Sequence, residues 1–200
     1  MKRLMAILMA WALSTSVWAF DDPKAMIKAT ADKVLSEVTL HKDELEKDLS
    51  GLYVLVQEAV VPNTDFYRMS QVAMGRYWRR ADEEQRQKIA HEFREMLVRT
   101  YATALLNYSG EQIEYLPVRS QPGDKEVMVP TRINLQGGGP AVPIHYRVYL
   151  AEDGWKLYDV VIDGVSLVAN YRSSFASQIR RGGVDGLIQQ LAQRNEQLRK

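Results

Sequence analysis

The chain contains no cysteine. That removes disulfides, thiol nucleophiles and a lipidated-cysteine anchor, so the fold must rest on its apolar core. Histidine is scarce: His41, His91 and His145 stand far apart, with no H-x-x-x-H or H-x-H spacing. A histidine-rich zinc site is excluded on that spacing, and no metal is expected. Ser109, Ser166, Ser173, Ser174 and Ser177 lack a G-x-S-x-G frame and read as caps and surface. Gly137-Gly138-Gly139 has no following Lys-Ser or Lys-Thr, so it reads as a hairpin loop rather than a phosphate cradle. Charge of one sign is also missing: the formal net charge is +1. Long-range attraction to nucleic acid therefore has no source. No repeat, low-complexity tract or Pro/Gly/Ser-rich linker divides the chain, and one domain over 20–200 is expected.

The N-terminus carries an address. Lys2 and Arg3 precede an apolar run from Leu4 to Leu13, Ser14-Thr15-Ser16 breaks it, and Val17-Trp18-Ala19 supplies a cleavage site. This is the pattern of a secretory signal covering residues 1–19, cut after Ala19. The run is too short to cross ~30 Å of hydrocarbon as a helix. Lys2 and Arg3 leave with it, so the remaining basic residues number 24 against 25 acidic.

The first half reads as helical. Asp22-Pro23 is a cap followed by proline at the first helical position, with Met26, Ile27, Val34, Leu35 and Val38 on one face. Leu45, Leu49, Leu52 and Val56 predict a second helix, stopped at Pro62. Asn63-Thr64-Asp65 caps a third, with Phe66, Met69, Ala73 and Tyr77 on its stripe. Asp82-Glu83-Glu84-Gln85 is a capping-box pattern for a fourth. That helix is predicted to keep one apolar face from Ile89 through Phe93, Leu97, Tyr101 and Leu105 to Tyr108, with Gly110 as terminator.

The second half reads as strands. Val127, Val129, Thr131, Ile133 and Leu135 alternate, as do Val142, Ile144, Tyr146, Val148 and Leu150. Gln112 to Val118 is a weaker strand before them. After Asp153-Gly154 the chain offers a strand from Trp155 to Ile162, a turn at Asp163-Gly164, and an apolar connector from Val165 to Val168. Two closing helices are expected, about residues 171–181 and 185–197. The class is α+β: helices packed on one face of a curved four-stranded antiparallel sheet.

Two acids in this last strand region could serve a cone-shaped small-molecule isomerase, Asp159 or Asp163. Asp163 before Gly164 reads more simply as a turn former. Asp159 is out of phase with Tyr158, Val160 and Ile162 and should face the other side of the strand. No catalytic residue is assigned and the chain is not expected to be an enzyme. Arg79-Arg80, Arg172 and Arg180-Arg181 cluster beside turns, as solvated helix ends or as a docking surface.

Three stretches carry a resemblance. Met74-Gly75-Arg76-Tyr77-Trp78-Arg79-Arg80-Ala81 is similar to a G-x-Y/W-W run, and Phe93 to Ala102 to an F-x-x-x-L-x-x-x-Y-A pattern. The segment from Gly154 to Phe175, extended by Gly183-Val184-Asp185-Gly186-Leu187, completes it. In this order and spacing they resemble the MlaC-like periplasmic phospholipid-binding family, also called toluene-tolerance auxiliary proteins.

The resemblance implies a soluble periplasmic carrier that sequesters the acyl tails of a phospholipid in an apolar cavity. It implies two partners, an outer-membrane lipoprotein complex and an inner-membrane ABC transporter with an MCE-domain ring. The implied role is maintenance of outer-membrane lipid asymmetry, with no cofactor. From the facing of the elements, the cavity lining is expected from Phe93, Leu97, Tyr101 and Leu105 on the long helix. Val129, Ile133, Tyr146 and Val148 would line it from the sheet, and Val165, Leu167 and Val168 would stand at the mouth.

Overall fold

Asp22 starts the first helix as the sequence predicts. Its carboxylate accepts a hydrogen bond from the Lys24 N–H at 3.0 Å, and α1 runs Pro23–Leu40. The computed structural model describes residues 22–121 and 123–199. The expected signal over 1–19 lies outside the described residues.

The single second helix of the sequence reading is two. α2 (Lys42–Lys47) and α3 (Leu49–Ala59) are parted at Asp48, whose backbone is extended. The Asp48 carboxylate accepts from the Ser50 N–H at 2.9 Å and from the Ser50 hydroxyl at 2.7 Å. A capping aspartate competes with helix continuation, and here it wins over the apolar periodicity. Gly51 lets the two helices close up: a Cβ there would stand 3.0 Å from Leu45 Cδ2.

A 3-10 turn at Val61–Asn63 leads to α4 (Phe66–Met74), capped by Asp65 on the Arg68 N–H at 2.8 Å. Another 3-10 stretch, Gly75–Arg80, precedes α5 (Glu83–Tyr101). The capping box forms in both directions: Gln85 N–H to Asp82 at 2.8 Å, and Asp82 N–H to Gln85 Oε1 at 3.1 Å.

The expected six-turn face is broken. α5 stops at Tyr101 and the chain continues as a 3-10 helix over Ala102–Asn107. A 3-10 helix advances ~120° per residue against ~100° for an α-helix. Over four residues that swings Leu105 about 80° off the Phe93–Leu97 stripe. Leu105 accordingly joins the α1–α3 core, whereas Phe93 and Leu97 lie in the α4–α5–α7 core.

The sheet has five strands among the described residues, not four. They are β1 (Gln112–Tyr115), β2 (Glu126–Asn134), β3 (Val142–Ala151), β4 (Gly154–Ile162) and β5 (Val165–Ser166), each antiparallel to the next in sequence order. The added strand follows from the turn before it. Asp163 and Gly164 both take positive φ, 49° and 79°. Two such residues make the tight turn whose twist suits a hairpin, so the connector folds back and Val165 pairs with Ile162. The rest of the connector is a short helix, α6 (Leu167–Asn170), capped by the Ser166 hydroxyl on the Ala169 N–H at 3.0 Å.

The last helix, α7 (Arg172–Leu198), is broken at Gly183 (φ 69°, ψ −170°). The two closing helices expected on either side of 182–184 are its two limbs. α7 packs on α5 through Phe93, Phe175 and Tyr171, with Phe93 5.1 Å from each of the other two rings.

The apolar face of the sheet is covered by α1 rather than by the long helix α5. Ile27 packs on Val127, Val129 and Val148, while α5 buries its stripe against α4 and α7. The opposite face is clamped at one place. Arg68 of α4 lies 4.1 and 4.5 Å from the Tyr149 and Tyr158 rings and pairs with Glu126, and the Tyr149 hydroxyl donates to Asp65.

Candidate functional site

Ile27 seals only one end of the space between α1 and the sheet. Toward the other end the helix and sheet part around a cavity of about 490 Å³. Ile27, Thr30, Ala31, Val34 and Leu35 form its α1 wall, a spacing that puts all five on one side of a helix. The 3-10 segment after α5 adds Ala104 and Leu105, with Tyr108 just beyond. The sheet contributes Ile113, Ile133, Ile144, Tyr146 and Leu157. Cross-strand register explains the sheet set: Ile113 is opposite Ile133, and the others alternate along the same face.

Few polar groups touch this space. Thr30 is occupied by the Asn63 side-chain amide, which donates to its hydroxyl at 2.9 Å. Burial pushes the Tyr146 phenol above its ordinary pKa, opposed in part by the Thr131 hydroxyl, so it is neutral. Among the described residues Glu111 is the single carboxylate on the wall, and it is half-buried there. Hydrogen bonds from the Ser109 N–H (2.8 Å) and the Ser109 hydroxyl (2.7 Å) hold its pKa down, so it is charged and already partnered. Walls this apolar favour apolar contents over water. At the ~30 Å³ of a water-sized group, it holds roughly sixteen methylene-sized units, about one acyl chain.

The expected lining residues divide. Leu105, Ile133 and Tyr146 meet on the cavity wall. Val129 and Val148 share the sheet face with Tyr146, but they are fully buried in the solid packing under Ile27. Phe93, Leu97 and Val168 are buried between α4, α5 and α7. Tyr101 is 40 % exposed, with its hydroxyl 3.4 Å from that of Tyr171. Leu167 is half-buried on α6. Val165 is 59 % exposed on β5, opposite Ile162, which is itself opposite the wall residue Ile144. The α1 residues were missed. Ala31 and Thr30, small side chains on an otherwise bulky apolar face, were the available signal.

This placement changes what a blocking substitution does. Leu97→Trp and Val148→Trp enter close-packed regions (5 % and 0 % exposed) and are expected to destabilise the fold by about 1–3 kcal/mol or more. Urea unfolding would read this as a lowered midpoint, with any loss of ligand secondary to it.

Neither candidate acid lies on the cavity wall. Asp163 is exposed in the hairpin turn, where its N–H donates to Pro143 O at 3.0 Å. Asp159 is fully buried and accepts from Arg147 (3.2 Å), the Ser166 hydroxyl (2.7 Å) and the Val168 N–H (3.2 Å). A register shift between Arg147 and Val148 disturbs the alternation there. Tyr158 therefore meets Tyr149, two residues from Arg147, and lies on the same side as Asp159 rather than opposite it.

A helix-roofed antiparallel sheet with a largely apolar slot between the two layers defines an α+β protein that can take up an apolar molecule. The MlaC protein family model matches residues 28–193, and the chain belongs to that family. It is 25 % identical over 194 residues to the "Intermembrane phospholipid transport system binding protein MlaC" of Haemophilus influenzae, covering 95 % of this chain and 90 % of that one. It is 25 % identical over 185 residues to the "Toluene tolerance protein ttg2D" of Pseudomonas putida, covering 92 % and 84 %. Among solved structures it is similar to the phospholipid-binding protein of Ralstonia solanacearum in complex with a phospholipid. That match has a TM-score of 0.82 and 40 % identity, over 90 % of this chain and all of the other.

Proposed function

We propose that this chain binds phospholipid and carries it, with acyl-chain carbon held in the slot between α1 and the sheet. The observation that carries this reading is the slot itself: about 490 Å³ of largely apolar space with one partnered carboxylate on its wall. The relatives described as binding phospholipid support it. Each methylene hidden from water is worth ~0.8 kcal/mol, so roughly sixteen retain about 13 kcal/mol that free lipid would lose in water. Walls about as apolar as a bilayer make exchange with a membrane close to neutral. A carrier needs that balance, because a much stickier pocket would trap its cargo. No bond is made or broken in this role.

The finer reading is a periplasmic shuttle, exported by the signal over residues 1–19. It would pass lipid between an outer-membrane lipoprotein complex and an inner-membrane ABC transporter with an MCE-domain ring, and so maintain outer-membrane lipid asymmetry. No helix among the described residues is long and apolar enough to cross a membrane.

Protein purified from the periplasm is expected to carry about one phospholipid per chain, read by solvent extraction and mass spectrometry. Protein that arrives empty and takes no lipid from vesicles would sink the proposal.

A further inference from the structure

A second concavity of about 610 Å³ lies away from the lipid slot and shares no lining residue with it. It runs between the 3-10 stretch after α4 and the start of α7; Met74, Ala169 and Ala176 give it an apolar part, and Arg76, Asn170 and Arg172 its polar walls. Arg76 and Arg172 line it, and Arg80 and Arg180 reach its wall residue Tyr77; these four and their sequence neighbours Arg79 and Arg181 are all exposed. Among the described residues none of these six forms a salt bridge, whereas Arg86 and Arg94 on neighbouring α5 are both paired, at 3.6 and 3.1 Å.

Several of these cations are held in place rather than waving in solvent. The Arg76 and Arg80 guanidinium carbons stand 5.1 and 5.0 Å from the Tyr77 ring, and Arg76 donates to the Tyr77 hydroxyl at 3.1 Å. Hydrogen bonds from Arg76 and Arg180 lower the phenol's pKa, a sign of the local positive field. Arg172 crosses Gly75 (φ 54°) and donates from Nε and Nη2 to Val72 O at 3.3 and 3.0 Å. A Cβ at position 75 would only touch the Arg172 side chain, at 3.4 Å from Nε; it is the positive φ that favours glycine there.

We infer that this arginine-rimmed groove is a docking site for an acidic segment of a partner protein. Positioned guanidinium forks suit carboxylates, and ordering them beforehand cuts the entropy that binding would cost. The groove is concave, which fits an inserted loop or helix end better than a flat bilayer. Surface binding to a membrane also calls for apolar side chains that insert. Among the described residues the exposed large apolar side chains, Leu40, Val54, Tyr101, Met128, Leu135, Ile162 and Val165, all lie outside the groove.

The test uses a fluorescein-labelled hexaglutamate peptide and the mature chain, read by fluorescence anisotropy at low and high salt. Saturable binding is expected, at least tenfold weaker in R76E/R172E and at high salt. A second variant, Ser173→Glu, adds negative charge to the groove without removing an arginine and is expected to weaken binding as well. Lipid content measured on the same samples should be unchanged, so this inference and the lipid reading fail separately. Absent peptide binding, or equal binding by wild type and both variants, would overturn the proposal. So would wild-type protein that ignores the peptide but sediments with phosphatidylglycerol vesicles, which would assign the groove to a bilayer.

Discussion

Ala31→Trp is expected to leave the purified protein at least tenfold poorer in phospholipid while its unfolding midpoint stays close to that of the parent. Ala31 is half-buried on the inner side of α1 and faces the cavity. An indole there occupies space the slot already provides, so no packed side chain has to move. Helix propensity costs only about 0.5 kcal/mol for the exchange. The added apolar surface is buried against Val34, Leu35 and the sheet, which offsets that cost. Lipid per chain by mass spectrometry, beside a urea titration, reads both halves. Full lipid content in a folded A31W protein would place the tails elsewhere. The contrast with Leu97→Trp sharpens the result: the same residue added to a filled core should lower stability first.

Asp159→Ala carries the other large effect, about 3 kcal/mol of lost stability. The carboxylate is fully buried and gathers three donors from three elements: Arg147 on β3, the Ser166 hydroxyl on β5, and the Val168 N–H in α6. Removing it strands the Val168 N–H in a fully buried position and leaves a void beneath the hairpin. Arg147 is 41 % exposed and can turn to water, so the loss is smaller than for a pair with both charges buried. Asp159→Asn keeps the shape and one acceptor oxygen and should cost less than half as much. Chemical denaturation of both variants distinguishes this staple from a catalytic acid. A catalytic acid would lose function in Asp159→Asn with little change in stability.

Local signals in the sequence carried the element types, because each depends on neighbours a few residues away. The Asp22 cap, the Asp82–Gln85 box, the alternation through Val127–Ile133 and the parting of the last helix into two limbs near 182–184 all appear where the pattern puts them. Periodicity failed where a side chain competed with it or where the helix type changed. Asp48 split one helix into two, and the 3-10 segment after Tyr101 turned Leu105 away from Phe93. The resemblance to the family was legible for a different reason. Order and spacing of several weak motifs survive in a sequence even when none is a chemical signature.

The candidate site was only partly legible. A stripe of apolar residues looks the same whether it meets another stripe or an empty space. Phe93, Leu97, Val129 and Val148 were as plausible as wall residues as Ile27, Val34 and Ile144. Helix docking separates them: α1 presses Ile27 onto Val129 and Val148 and lifts away beyond that point, while α4 and α7 cover Phe93 and Leu97. The sequence by itself determined the α+β class, the order of the first four strands and the want of any nucleophile or metal motif, all matters of local propensity and spacing. The tertiary structure decided which helix roofs the sheet, where packing stops and a cavity begins, and that Arg76 and Arg172 come together on one groove. Those depend on distances between residues far apart in the chain, which no local pattern encodes.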